Sequence, residues 1–188
     1  MGDTAAPGLF VLTGAPGSGK SAILRRLRDD IRCVDEPARE VLAEQRATGG
    51  RGTWDQDPSL FVRLLLRRSI EGYLAARESG EAVLFDRGIP DCVAYAVRAG
   101  IDPRPSLEAA ARYRYQPGVL LLEPWSDIYE TDEERILPFG DTVVFHEAIV
   151  DAYERVPYVL SVVPRGSVED RAAFVRDFID RGSGPVAL

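Results

Sequence analysis

Short apolar runs alternate along this chain with longer segments in which apolar residues recur every three or four positions. That alternation predicts strands threaded between helices. Leu9 to Thr13 is the first strand, and Ser18 to Asp30 reads as a helix with Ile23, Leu24 and Leu27 on its buried face. Ile31 to Val34 is the second strand. Pro37 follows it and suits the first turn of a helix carried by Ala38 to Arg46. Pro58 to Glu78 is a long helix with apolar positions Phe61, Leu64, Leu65, Ile70, Tyr73 and Leu74. Glu81 to Asp86 is the third strand, and Ile89 to Arg98 and Ser106 to Tyr115 are helical. Gly118 to Leu122, bare of charge, is a fourth, central strand. Thr142 to Arg155 is a helix, Tyr158 to Val163 a fifth strand, and Ser167 to Asp180 the closing helix. Ser167 with Asp170 resembles a capping box in which Asp replaces the usual Glu.

Strands alternating with helices imply right-handed crossovers and a mostly parallel five-stranded sheet covered on both faces, an α/β three-layer architecture. Such sheets bind ligands at the carboxyl ends of their strands. Four charged or glycine-rich clusters fall there: Gly14–Ser21, Asp35-Glu36, Asp86-Arg87 and Glu123. Residues 1–7 read as a flexible lead, Thr48 to Asp57 as a mobile loop, and the acidic, irregular stretch 125–141 as a lid. A length of 188 residues favours one domain spanning the chain.

Composition narrows the partners. Net charge is −7, with 30 acidic against 23 basic residues, which argues against broad nucleic-acid or anionic-membrane binding. No apolar stretch is long enough to cross a bilayer, no signal peptide is evident, and Cys33 and Cys92 form no ligand or disulfide pattern. A cytoplasmic protein is the expectation.

The chemistry begins with lysine usage. Lys20 is the only lysine, and it falls in Gly14-Ala15-Pro16-Gly17-Ser18-Gly19-Lys20-Ser21, which fits G-x-x-x-x-G-K-[ST], the phosphate-binding P-loop or Walker A motif. Backbone N–H groups from Ala15 to Lys20 can surround an anionic phosphate, helped by the helix dipole. Lys20 would contact the β- and γ-phosphates of a nucleoside triphosphate, and the Ser21 hydroxyl would bind Mg²⁺. Val83-Leu84-Phe85-Asp86 is an apolar strand ending in a carboxylate, the form of a Walker B element, so Asp86 is the second metal candidate.

Arg87 follows and can hold a substrate oxygen or phosphate, or pair with Asp86 or Asp91. Glu36 can accept a proton from a substrate hydroxyl, or serve as a helix N-terminal charge; Asp35 competes for the role. Arg135, in the lid, can close over the transferred phosphate. Arg165-Gly166-Ser167 is where a nucleotide base would rest. Arg63, Arg67 and Arg68 read as a solvated helix face, and His146 as structural.

Together these residues resemble the P-loop kinase superfamily, and within it the small "AAA family ATPase" group (AAA_28-like), with nicotinamide-riboside kinase domains as relatives. The resemblance rests on Gly14–Ser21, Asp35–Glu40, Phe85–Asp91, Tyr129–Arg135 and Pro164–Val168. It implies a P-loop NTPase fold and an ATP- and Mg²⁺-dependent enzyme. The Asp35-Glu36-Pro37 stretch is also similar to the post-strand Glu-Pro of deoxynucleoside kinases, whose glutamate serves as base. With 188 residues, the second, helical domain of an AAA+ motor is not expected. The expected activity is transfer of the γ-phosphate to a hydroxyl of a small molecule; the alternative is an ATPase or GTPase that acts as a switch or regulatory binding module. No Asn-Lys-x-Asp guanine signature occurs, which favours ATP over GTP.

Overall fold

The computed structural model describes residues 8–129 and 138–182. Its strands are β1 (Leu9–Gly14), β2 (Arg32–Val34), β3 (Val83–Asp86), β4 (Gly118–Leu122) and β5 (Val159–Val162). Its helices are α1 (Lys20–Leu27), α2 (Pro37–Thr48), α3 (Pro58–Arg77), α4 (Asp91–Arg98), α5 (Arg104–Arg112), α6 (Phe139–Glu154) and α7 (Val168–Asp180). The sheet order is β2-β3-β1-β4-β5, and every pairing in it is parallel, where the pattern had promised only a mostly parallel sheet.

The side-chain alternation of the strands sorts the core into two layers. Leu9, Val11, Val83, Phe85, Val119 and Leu121 face α3, α4, α5 and α6, where Tyr73, Val93, Ala110, Ile149 and Tyr153 cover them. Phe10, Leu12, Leu84, Leu120 and Leu122 face α1 and α7, against Ile23, Leu24, Leu27, Val175 and Phe178. Burial on both faces explains why β1 and β4 read as unbroken apolar runs. A third cluster, with Ala38, Val41, Phe61, Val62, Leu65, Cys92 and Ala96, ties α2 to α3 and α4 beyond the edge strand β2.

Several boundaries shift for physical reasons. α1 begins at Lys20 instead of Ser18, because Gly17 and Gly19 take positive φ and the chain is not helical until past them. Leu74 on α3 is 40% exposed, while Val62, Ser69 and Ala76 are buried beside Phe61, Leu65 and Tyr73. α6 starts at Phe139 and Ser126–Ile128 forms a 3-10 turn, so both ends of the 125–141 stretch are ordered structure. The 48–57 segment packs on the protein: Gly52 N–H donates to Gln45 Oε1 at 3.0 Å, Thr53 is buried, and the Trp54 ring meets Phe61 and Tyr95 edge-on at 6.0 Å. At Ser167 the hydroxyl accepts from Asp170 N–H at 3.1 Å and also donates to Asp170 Oδ2 at 2.7 Å.

Candidate active site

The phosphate loop leaves the carboxyl end of the central strand. At Gly14 φ is +132°, and a Cβ there would collide with the Leu122 carbonyl of neighbouring β4. Only glycine lets the two strand ends pass this closely. Gly19, at φ +89°, precedes α1 and offers no side-chain cap, so the first amides of α1 remain for an anion. The Lys20 ammonium folds back over the loop, donating to Gly14 O at 3.1 Å and Ala15 O at 2.9 Å. Burial and the nearby Arg87 lower its pKa to about 8. Ser18 Oγ donates to Ala15 O at 2.7 Å. Ser21 and Pro16 line the cavity in front of the loop.

Asp86 ends β3, in register with Leu12 of β1. It is buried, its Oδ1 has no hydrogen-bond partner, and burial, opposed by Lys20, pushes its pKa up to about 6. The next residue turns sharply. Arg87 has φ +73°, the only positive φ at a non-glycine among the described residues. Strain of this kind persists only where surrounding contacts fix it. Here Arg87 N–H donates to Leu12 O at 3.1 Å, Nε to Glu36 Oε1 at 2.8 Å and Nη1 to Asp91 Oδ1 at 3.0 Å, with the guanidinium over the Phe145 ring. Its ion pairs are therefore with Glu36 and Asp91, and none is formed with Asp86.

Asp91 is a hub that pattern reading had treated only as a possible partner of Arg87. It also accepts from Thr13 Oγ1 at 2.6 Å, Tyr153 Oη at 2.7 Å and Gly88 N at 2.9 Å. The network fixes the ends of β1 and β3 and the start of α4 as one unit.

The two competing carboxylates at the end of β2 point to different places. Asp35 is on the surface, paired with Arg28. Glu36 is 13% exposed, lines the cavity, and accepts from Arg87 and from Arg39 Nε at 3.1 Å. Burial alone would push its pKa up, but Arg87 and Lys20 outweigh it and hold the carboxyl at about 2. The group is thus an anion at neutral pH, with strong hydrogen-bond acceptance and little appetite for a proton.

The cavity measures about 470 Å³. Its lining combines the glycine loop, Lys20 and Glu36 with the rings of Trp54, Phe61, Tyr95 and Phe145. Those rings meet edge-to-face, Tyr95 and Phe145 at 4.8 Å and Phe61 and Tyr95 at 5.8 Å. Arg98 lies over both Trp54 (5.7 Å) and Phe145 (5.5 Å). Arg25, Arg39 and Arg46 complete a wall rich in positive charge.

The remaining expected residues fall elsewhere. Arg165 donates to Pro124 O at 3.1 Å and stacks on Trp125, beside a shallower cavity that it shares with Glu123 and His146. His146 is half-buried, its Nδ1 lacks a partner, and burial lowers its pKa. Arg68 pairs with Glu40, Glu44 and Glu71, and Arg67 with Glu71, a surface network. Arg135 lies outside the described residues. Sequence reasoning missed Arg171 of α7, which is buried and donates through Nη2 to Ser18 O at 2.6 Å. One arginine of 22 in a closing helix carries no pattern that marks it.

A glycine phosphate loop after the central strand of a parallel sheet, with an Asp-terminated neighbour, defines the class of P-loop kinases and ATPases. Within it the chain belongs to the AAA domain family (AAA_28), whose profile matches residues 9–171. Among solved structures, thymidylate kinase from Ehrlichia chaffeensis superposes with a TM-score of 0.58 over 93% of this chain and 100% of that one, at 15% identity, which speaks to the fold. No curated protein matches the chain in sequence.

Proposed function

We propose that the protein is an ATP-dependent kinase that transfers the γ-phosphate to a hydroxyl of a small molecule. The observation that carries this reading is the placement of Glu36: an anionic carboxylate, oriented by Arg87 and Arg39, faces a cavity that continues from the phosphate loop into an aromatic-walled chamber. The aromatic lining supports a second molecule with a flat or apolar body, which a hydrolase using water would not need.

In this reading Lys20 leaves the Gly14 and Ala15 carbonyls and binds β- and γ-phosphate oxygens, while the loop amides hold the phosphate chain. Ser21 and Asp86 would hold Mg²⁺. Asp86 suits that role because its Oδ1 is buried without a partner, and because magnesium in such sites takes one or two carboxylates together with phosphate oxygens. When bound, the ion supplies charge neutralisation at the transferring phosphoryl. Glu36 accepts a hydrogen bond from the acceptor hydroxyl and aims its oxygen at the γ-phosphorus; the new O–P bond forms as the bond from phosphorus to the ADP oxygen breaks, and with a pKa of about 2 Glu36 orients the nucleophile while the hydroxyl proton leaves with the transferred phosphoryl group. Arg87 keeps Glu36 in place and adds positive charge at the transfer point. Arg135 would close over the phosphoryl group from the lid, and Arg165 would flank the base.

The test is transfer of label from γ-labelled ATP, with and without Mg²⁺, to a panel of small hydroxyl compounds. A labelled product that requires acceptor and metal is the expected result. Phosphate release at kinase-like rates without any acceptor refutes the kinase and favours a hydrolase switch.

A further inference from the structure

Arg171 is a buried cation with no carboxylate against it among the described residues. Its Nη2 donates to Ser18 O at 2.6 Å, its Nε has no partner, and its guanidinium stacks on the Trp125 ring at 5.5 Å. Arg165 stacks on the same ring at 5.6 Å. Every other buried cation of the site is paired or bonded elsewhere: Arg87 to Glu36 and Asp91, Lys20 to two loop carbonyls. A guanidinium that is desolvated and lacks a counter-ion is costly, so its position calls for an account.

The phosphate loop supplies one. A trans peptide is planar, with its C=O and N–H pointing in opposite directions. By pulling the Ser18 carbonyl toward α7, Arg171 turns the Gly19 N–H away from α7 and fixes the peptide that opens α1. The arrangement also fits the sequence. A Cβ at Gly19 would meet Arg171 Nη1 at 2.6 Å, so the left-handed glycine and the guanidinium share one space. In addition, an unpaired positive charge beside the loop raises the potential that draws an anion there.

We propose that Arg171 is a positioning residue for the nucleotide's phosphate chain: it sets the Ser18–Gly19 peptide for anion binding and contributes a charge that the bound phosphates compensate. This rests on the reading of the loop as a nucleotide site. Its ligand class is the di- or triphosphate of a nucleotide, and it acts on nucleotide binding with no direct role at the acceptor.

The experiment is calorimetric titration of ATP and ADP, each with Mg²⁺, into wild type, Arg171→Gln and Arg171→Lys, alongside steady-state kinetics. Arg171→Gln is expected to weaken both nucleotides about tenfold or more and to raise the KM for ATP in step, while acceptor KM stays within about twofold. Arg171→Lys, which keeps the charge, is expected to recover part of the loss but to stay at least about threefold weaker than wild type. If Arg171→Gln does not fold, Arg171→Lys carries the test by itself: a threefold loss supports the proposal, unchanged affinity overturns it. Equal nucleotide affinity in wild type and Arg171→Gln overturns it while leaving the kinase reading intact. A wild-type protein that binds no nucleotide overturns both.

Discussion

Arg87 and Glu36, 51 residues apart in the chain, meet through a 2.8 Å charge-assisted hydrogen bond at the adjacent carboxyl ends of β3 and β2. Arg87 is buried, Glu36 is largely covered, and Asp91 holds the other side of the guanidinium. The relationship makes Glu36 separable from nucleotide binding. Glu36→Gln keeps an acceptor for Arg87 and leaves the phosphate loop untouched. It is expected to slow phosphoryl transfer about 100-fold or more while ATP affinity changes less than about threefold. Arg87→Met takes the compensating charge from buried Asp91 and largely covered Glu36 and is expected to cost about 3–5 kcal/mol of stability, readable by denaturant unfolding. The sign with pH follows from Glu36, whose folded pKa of about 2 is below its ordinary 4.5. Its stabilising share is complete above pH 4.5 and disappears as pH falls toward 2, so Glu36→Gln flattens acid unfolding over that window.

Lys20 gives a second prediction, on nucleotide affinity. Its ammonium is lowered to about 8 in the free protein. Above that pH the ligand must restore the proton, and ATP affinity is expected to fall, up to about tenfold per pH unit, in titrations from pH 7 to 10. Lys20→Arg keeps its charge over this range, so the pH dependence vanishes. Its wide, planar head does not fit the turn where Nζ reaches Gly14 O and Ala15 O, and activity is expected to drop about 100-fold or more.

Much of this was legible in the sequence for a simple reason: strands buried on both faces and helices with one apolar stripe leave periodic traces, as Leu9–Gly14, Val83–Asp86 and Gly118–Leu122 show. The phosphate loop was legible because its backbone geometry demands glycine at fixed spacing. What was not legible came from long-range placement. Residue type and spacing leave Asp35 and Glu36 competing, with only the Glu-Pro resemblance favouring Glu36; in the fold one is paired with Arg28 at the surface and the other is turned inward by Arg87. Asp91 as a hub for Thr13, Arg87 and Tyr153 depends on three elements meeting. Arg171 reaches Ser18 across 153 residues.

The aromatic chamber yields a third prediction. Trp54 stands on the 48–57 segment and lines the cavity, held by Phe61, Tyr95 and Arg98. Trp54→Ala is expected to raise acceptor KM about tenfold or more, on the scale of 1–3 kcal/mol for a lost ring contact, with the KM for ATP unchanged. Equal increases in both KM values would mean that the chamber does not hold the acceptor. Tryptophan fluorescence gives an independent readout, since Trp54 and Trp125 are the only two in the chain and the acceptor is expected to perturb only the first.

Asp86 couples function to stability in the opposite direction. Its folded pKa, about 6, is above its ordinary 3.8, because burial disfavours the ionised form more than Lys20 favours it. The folded state therefore holds this proton more tightly than the unfolded chain. That contribution is complete below pH 3.8 and is lost as pH rises through about 6, beyond which ionised Asp86 opposes folding. The interval is worth up to about 3 kcal/mol at about 1.36 kcal/mol per pH unit. Asp86→Asn removes the ionised form, so without metal the variant is expected to be more stable than wild type at pH 7.5, by about 1–3 kcal/mol, and to match it near pH 4. Mg²⁺ with ATP should stabilise wild type more than Asp86→Asn, because the phosphate loop and Lys20 still hold the nucleotide in the variant while the oxygen that would hold the ion has lost its charge. Transfer activity in the variant is expected to fall about 100-fold or more. Chemical denaturation at pH 4 and 7.5, with and without Mg²⁺-ATP, checks each part, and an Asp86→Asn protein that is less stable than wild type at pH 7.5 would show that Asp86 is held by structural contacts rather than kept ready for a cation.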